Sequence, residues 1–258
     1  MSERSRSFGA VASAYERFRP GYSRELVDEV LAYARGPVRT ALEIGAGTGK
    51  ATRVFAARGI AVTATDPDPE MLAELRRHVP SSVTTVEAAF EDLPLDTTYD
   101  LVYAAASLHW TEPTGRWPRA AALLRGGGTF ASFGGPYCLA DDHVQALEDA
   151  ARRRFLPEDD RGSPDGTPSE DPMQWPGTEL ERSGLFTEVR QKVLVRRFTQ
   201  PASEYVDHLT TVSYYLQLPE PTRSEAFAAI LAALPDTVAI EADTILHLAR
   251  VAEEPIRG

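Results

Sequence analysis

Seven residues, Glu43-Ile-Gly-Ala-Gly-Thr-Gly49, set a carboxylate two positions ahead of three glycines at alternate positions. Without a Cβ, Gly45, Gly47 and Gly49 let the chain turn sharply and bring its backbone against a ligand. Thr40 to Ile44 before them is strand-like, and Lys50 to Arg58 after them reads as a helix with Val54, Ala57 and Arg58 near one face. Strand, glycine turn and helix form the nucleotide-binding opening of a doubly wound sheet. Spacing removes two versions of that chemistry. A dinucleotide fingerprint, G-x-G-x-x-G, needs glycine where Lys50 or Thr52 stands. A P-loop, G-x-x-x-x-G-K-[ST], needs glycine at Ile44 and a hydroxyl at Ala51. A glycine turn of some other α/β enzyme stays open.

A second acid follows at the right distance. Ile60 to Thr65 is a strand, and Asp66 stands at its carboxyl end, 21 positions after Gly45. A carboxylate there accepts hydrogen bonds from both hydroxyls of a ribose. The bland alternative for such an Asp is a helix N-cap, a role that suits Asp68 before Pro69. Further on, Tyr99 to Ala106 is a nearly continuous apolar run, as a central parallel strand should be, and it leads into Ser107-Leu-His-Trp110. Open α/β sheets place their ligand crevice at that end. His109 could there orient a substrate or take a proton, or simply hold the loop by hydrogen bonds. Trp110 suits a pocket wall better than chemistry.

Glu43 to Gly49 resembles motif I of the class I S-adenosylmethionine-dependent methyltransferases, and Asp66 to Met71 resembles their motif II. Phe8 to Tyr22, F-x-x-x-A-x-x-Y-x-x-x-R-P-x-Y, is similar to the N-terminal segment of the trans-aconitate methyltransferase-like, small-molecule group, and Leu108-His-Trp110 resembles a signature of that group. The resemblance implies S-adenosyl-L-methionine as cofactor, held by Glu43, Gly45, Ala46, Gly47, Thr48, Gly49, Asp66, Pro67, Met71 and Ala106. It implies that Tyr15 and Arg19 approach the methionine end; alternatively they belong to an ordinary surface helix. Phe90 to Pro94 resembles the loop that brackets adenine, with Ala89 where an acid is often found, so Phe90 and Glu91 are the adenine candidates. His109 is the catalytic candidate, and Tyr22, His109, Trp110, Tyr137, Tyr214 and Tyr215 are substrate-wall candidates.

The elements that must position these residues follow from periodicity. Phe8, Val11, Tyr15 and Phe18 form one helical stripe; Ser23 caps a second helix with Val27, Val30, Leu31 and Ala34 on a face. Met71 to His78 reads as a helix, Ser82 to Glu87 as a strand, Trp117 to Leu124 as a helix, Arg125 to Gly128 as a turn, Thr129 to Phe133 as the fifth strand and Asp141 to Phe155 as a helix. Leu156 to Pro176 is rich in Pro, Asp, Glu, Gly and Ser and reads as a mobile connection or a lid. Leu185 to Phe198 contains the sixth strand and Ala242 to Val251 the seventh; helices over Ser203 to Tyr215 and Thr222 to Leu234 lie between. The aromatic residues of that insertion either line a pocket or pack on the core.

The expected fold is a Rossmann-like, doubly wound α/β sheet of seven strands, and the resemblance implies that the seventh is antiparallel. One domain spans 1–258: a helical lid at 1–36, a cofactor-binding core at 37–155, a flexible connection at 156–176, and a C-terminal half at 177–258 with a helical cap at about 201–235. The chain has 258 residues, 43 % hydrophobic, enough for one core plus a cap. A net charge of −11, with no stripe of Lys and Arg, disfavours nucleic acid and anionic membrane. No apolar run approaches a membrane span, the start shows no signal region, and the single Cys138 excludes an internal disulfide, so a cytoplasmic location is expected. The five histidines are scattered without metal-ligand spacing. Expected partners are a small organic substrate and, at most, a second copy: monomer or homodimer. Competing functions are a nicotinamide-dependent oxidoreductase on the same sheet and a non-catalytic S-adenosylmethionine-binding protein.

Overall fold

The structure is a computed structural model that describes residues 11–156 and 163–252. Phe8 and the first ten residues of the expected lid lie outside the described residues.

The chain opens with α1 (Ala12–Phe18) and α2 (Arg24–Tyr33), the latter capped by Ser23, whose hydroxyl accepts from Leu26 N. There follow β1 (Thr40–Ile44), α3 (Thr52–Ala56), β2 (Ala61–Asp66), α4 (Pro69–His78), β3 (Thr84–Glu87), β4 (Tyr99–Ala105), α5 (Arg116–Ala122) and β5 (Leu124–Gly134). The second half holds β6 (Cys138–Leu139), α6 (Asp142–Arg152), α7 (Gly177–Ser183), β7 (Phe186–Leu194), β8 (Arg197–Pro201), α8 (Ala202–Leu209), α9 (Ser213–Leu216), α10 (Glu220–Ala233), β9 (Thr237–Glu241) and β10 (Thr244–Val251).

Seven strands form the main sheet in the order β3-β2-β1-β4-β5-β10-β7. Strands β1 to β5 run parallel, and β10 is antiparallel to both neighbours, as expected. Alternate residues of β1 face opposite layers, Ala41 toward Val27, Phe55 and Leu72 and Leu42 and Ile44 toward Trp117 and Phe130. Both faces are therefore covered, which is why β4 reads as continuous apolar sequence. The chain order reverses between β1 and β4, and a crevice opens there.

Several expectations shift. Arg125 to Gly128 is part of β5 rather than a turn: Leu124 pairs with Tyr99, and the glycines absorb the register shift that follows, Gly127 at φ 71°. Helix α3 is short. The sixth strand divides into β7 and β8, and three helices rather than two follow. A second sheet, β6-β9-β8, was not foreseen. With α6, α8, α9 and α10 it encloses its own apolar cluster, from Leu139 and Ala151 to Tyr215 and Ile240. Helix α6, expected with the core segment, packs there. The described part of the connection is pinned: Asp165 accepts from the hydroxyls of Ser163, Thr167 and Thr178, and Gln174 N donates to Gln191 Oε1 at 2.7 Å. Among the described residues no helix is long and apolar enough to cross a membrane.

Candidate active site

The crevice holds two adjoining compartments of about 300 and about 110 Å³. Asp66, Pro67, Met71, Phe90, Glu91, His109 and Trp110 line the larger; Tyr22, Glu43, Ala46, Thr48, Tyr137 and His208 line the smaller. Tyr15, Arg19, Gly45, Gly47 and Ala106 border both.

The glycine turn is fixed by its backbone. Gly45 has φ +64°, and a Cβ there would sit 2.6 Å from Ser107 Cβ, so side chains are barred by conformation and by space. The Ser107 hydroxyl donates to the Ile44 carbonyl, tying the ends of β4 and β1 together. Ala106 is itself left-handed at φ 53°, a strain of about 1–2 kcal/mol for a non-glycine residue. Its N–H donates to Phe133 O at 2.8 Å, which holds that conformation at the crevice wall.

Asp66 is buried, and its carboxylate accepts from Gly47 N at 2.8 Å and Asp68 N at 2.9 Å. The helix-capping role falls to Asp68, which accepts from Glu70 N and Met71 N. Two N–H donors leave lone pairs of the Asp66 carboxylate open to the crevice. Burial pushes its pKa up to about 6 against those two hydrogen bonds. Glu43 is fully buried; Thr52 Oγ1 and Tyr103 OH donate to its Oε2 at 2.5 and 2.9 Å, while Oε1 has no partner among the described residues. Burial raises its pKa to about 8, with Asp66 adding to the effect.

Helix α1 closes over the turn through a residue that sequence reasoning missed. Glu16 accepts from Thr48 Oγ1 at 2.7 Å and Arg53 at 2.6 Å, and its carbonyl accepts from Lys50 Nζ at 2.6 Å. Burial would raise the Glu16 pKa, but Thr48, Arg53 and Lys50 outweigh it and hold the carboxyl below its ordinary range. Arg19 reaches across to Thr211 after α8, with Nε 2.8 Å from Oγ1 and Nη2 3.0 Å from the carbonyl. On the far rim His109 and Trp110 share a 3₁₀ turn, ring centroids 4.6 Å apart, and His109 is exposed. Glu91 accepts from Glu112 N at 2.5 Å, and Arg119 holds the carbonyls of Phe90 and Leu93 at 2.9 and 2.7 Å.

Three expected residues lie elsewhere. Tyr215 is wholly buried in the cap against Phe227, with Tyr214 packed on it at 4.8 Å, because α9 turns them into the cap cluster and leaves Val212 and Ser213 at the crevice. Gly49 supports the turn from beneath: its Cβ would meet Leu75 Cγ at 2.8 Å. Residues not singled out as site candidates include Glu16 and Ser107, whereas His208 is one of the insertion's ring-bearing residues expected either to line a pocket or to pack on the core, and it lines the smaller compartment. The acid one residue after Tyr15 and the serine after Ala106 were the only available signals.

Comparison with known proteins gives a consistent result. Residues 42–132 match the family model described as a methyltransferase domain. Over 123 residues the chain is 44 % identical to an uncharacterized methyltransferase of Mycobacterium tuberculosis, covering 47 % of this chain and 49 % of that protein. It is 38 % identical over 124 residues to the trans-aconitate 2-methyltransferase of Delftia acidovorans, covering 46 % and 44 %. The matched stretch thus spans about half the length of these curated relatives. A solved Anaeromyxobacter dehalogenans chain assigned as a type II methyltransferase superposes with TM-score 0.62 at 23 % identity, over 92 % of this chain and 100 % of that one, a likeness of fold.

Proposed function

We propose, from the premise that residues 42–132 of this chain are a methyltransferase domain, that it is an S-adenosylmethionine-dependent methyltransferase acting on a small organic acceptor. The observation that carries this reading is Asp66, oriented by Gly47 N and Asp68 N toward the larger compartment, one strand away from a glycine turn that has neither dinucleotide nor P-loop spacing. The residues fit the cofactor. Asp66 suits the ribose hydroxyls, the pocket of Met71, Ala89 and Phe90 suits a base, and the unpartnered Oε1 of Glu43 suits the amino end of the methionine part. Arg19, beside Tyr15 at the junction of the compartments, suits its carboxylate.

When bound, the cofactor supplies a methyl group on a sulfonium, whose carbon–sulfur bond breaks with its electrons left on sulfur. The chain then has mainly to align. Alignment of this kind lowers a barrier by up to roughly 7–11 kcal/mol. The turn at Gly45 and Ala106 sets one wall, and α1 excludes water from above through Glu16. His109, beside Trp110 on the rim of the larger compartment, is the polar group at that entrance to the crevice. A small acceptor agrees with the size of the crevice and with an acidic chain.

The test is isothermal calorimetry with S-adenosylmethionine, S-adenosylhomocysteine and NAD on the full chain and on Asp66→Ala. The first two should bind and NAD should not, and the substitution should cost on the order of 2–4 kcal/mol by removing two hydrogen bonds to a charged acceptor. Unchanged affinity in Asp66→Ala would refute the assignment. A chain that binds both ligands yet never forms S-adenosylhomocysteine with any acceptor would be a binding protein instead.

A further inference from the structure

The smaller compartment extends beyond the glycine turn into a space walled by lid, cap and the loop after β5. His208 of α8 lines it. The ring is 3 % exposed and lies flat on Tyr137, centroids 4.0 Å apart and planes at 14°. Tyr137 is fixed in turn, its hydroxyl donating to Gln200 Oε1 at 2.9 Å, and Tyr22 is fixed edge-on against Phe133 at 5.0 Å. Both tyrosines line the same compartment. Amid these held rings, Nδ1 of His208 is buried with no hydrogen-bond partner among the described residues. Buried polar atoms are nearly always paired, and an unpaired one in a folded chain calls for a reason, of which a role at a site is one. The cofactor reading uses Glu43, Arg19 and Asp66 and leaves His208 without a task.

We propose that His208 is the cap's polar contact for the methyl acceptor, a small aromatic molecule that presents a hydroxyl or amine hydrogen to the imidazole in the smaller compartment. The assignment rests on the methyltransferase reading given above. An aromatic body suits the rings of Tyr15, Tyr22, Tyr137 and His208 on the wall, and a polar substituent suits Arg19, Lys50, Arg196 and Asp243, which line the same compartment. The hydroxyl or amine is the group that suits Nδ1 acting as the acceptor nitrogen of a neutral ring. Burial, with the Arg19 cation adding to it and the Phe18 backbone opposing it, pushes the His208 pKa down to about 3, so the ring is a neutral hydrogen-bonding group at working pH. It orients the nucleophile and does not retain its proton. In the transfer, a lone pair on the acceptor oxygen or nitrogen forms the new bond to the methyl carbon as the carbon–sulfur bond breaks, and the acceptor's proton passes to water.

Saturation-transfer NMR on the full chain, saturated with S-adenosylhomocysteine, tests this with catechol and 4-aminophenol as probes and 1,2-dimethoxybenzene as the analogue that lacks the hydrogen. The wild type should prefer catechol and 4-aminophenol by about tenfold, the worth of one hydrogen bond. His208→Phe should lose that preference, His208→Gln should regain part of it, and calorimetry should find S-adenosylhomocysteine affinity unchanged in both. If His208→Phe does not fold, His208→Gln and the dimethoxy comparison decide. Absence of the preference in a wild type that binds S-adenosylhomocysteine, or its persistence in the variants, overturns the proposal and leaves the cofactor reading standing. Failure of S-adenosylhomocysteine to bind the wild type overturns the methyltransferase reading itself.

Discussion

At Glu43 a carboxyl group stands wholly out of water between two hydroxyl donors, and at Asp66 a second one stands nearly so. Burial raises both pKa values, to about 8 and about 6, above the 4.5 and 3.8 of free carboxyls. The folded chain therefore holds more protons at these groups than the unfolded chain does. Their contribution to stability is full below about pH 4 and is lost as pH rises to about 8. Between pH 6 and 8.5 the unliganded protein should lose stability faster than Glu43→Gln, whose amide cannot ionise; denaturant midpoints at several pH values check it, and equal slopes would refute the role of Glu43. The identities of these acids were legible from spacing to the glycines. Their burial was not, since it depends on Tyr103 and Thr52, 60 and 9 positions away.

Among the elements, α1 is held by polar contacts more than by a large apolar face: Ala12 is its one buried residue, and Glu16 binds Thr48 and Arg53. Such an element opens locally at a cost set by those few bonds. Glu16→Ala should lower that cost by roughly 1–3 kcal/mol, seen as faster hydrogen exchange over residues 12–18 with the sheet unaffected. Exchange that S-adenosylhomocysteine fails to slow in the wild type would argue against a closing lid. An amphipathic α1 was visible in the sequence as a stripe of Val11, Tyr15 and Phe18. What it lies on was not, because a carboxylate one position after a stripe residue has no local signature for the hydroxyl it will meet. The same limit applies to α9, where periodicity alone could not tell that Tyr214 and Tyr215 turn away from the crevice.

For the whole molecule, lid, sheet and cap all border one crevice, so a ligand that fills it couples them. At a hundredfold excess over its dissociation constant, S-adenosylhomocysteine should stabilise the folded chain by about 2.7 kcal/mol, and a thermal midpoint that does not move would contradict a preformed site. The sequence by itself determined the doubly wound sheet, the turn at Gly45 and the acid at Asp66, because each is written in neighbours within a few turns or one βαβ unit; the antiparallel last strand came from the family resemblance, since it pairs with β5 more than a hundred positions away. Only the tertiary structure decided the second sheet, since β6 has two residues and pairs with β9 about a hundred positions later. Only the tertiary structure, likewise, set Glu16 on Thr48, Arg19 on Thr211 and His208 on Tyr137. Those contacts join segments far apart in the chain, and neither propensity nor periodicity carries information across such separations; packing of the folded layers alone selects which distant side chains meet.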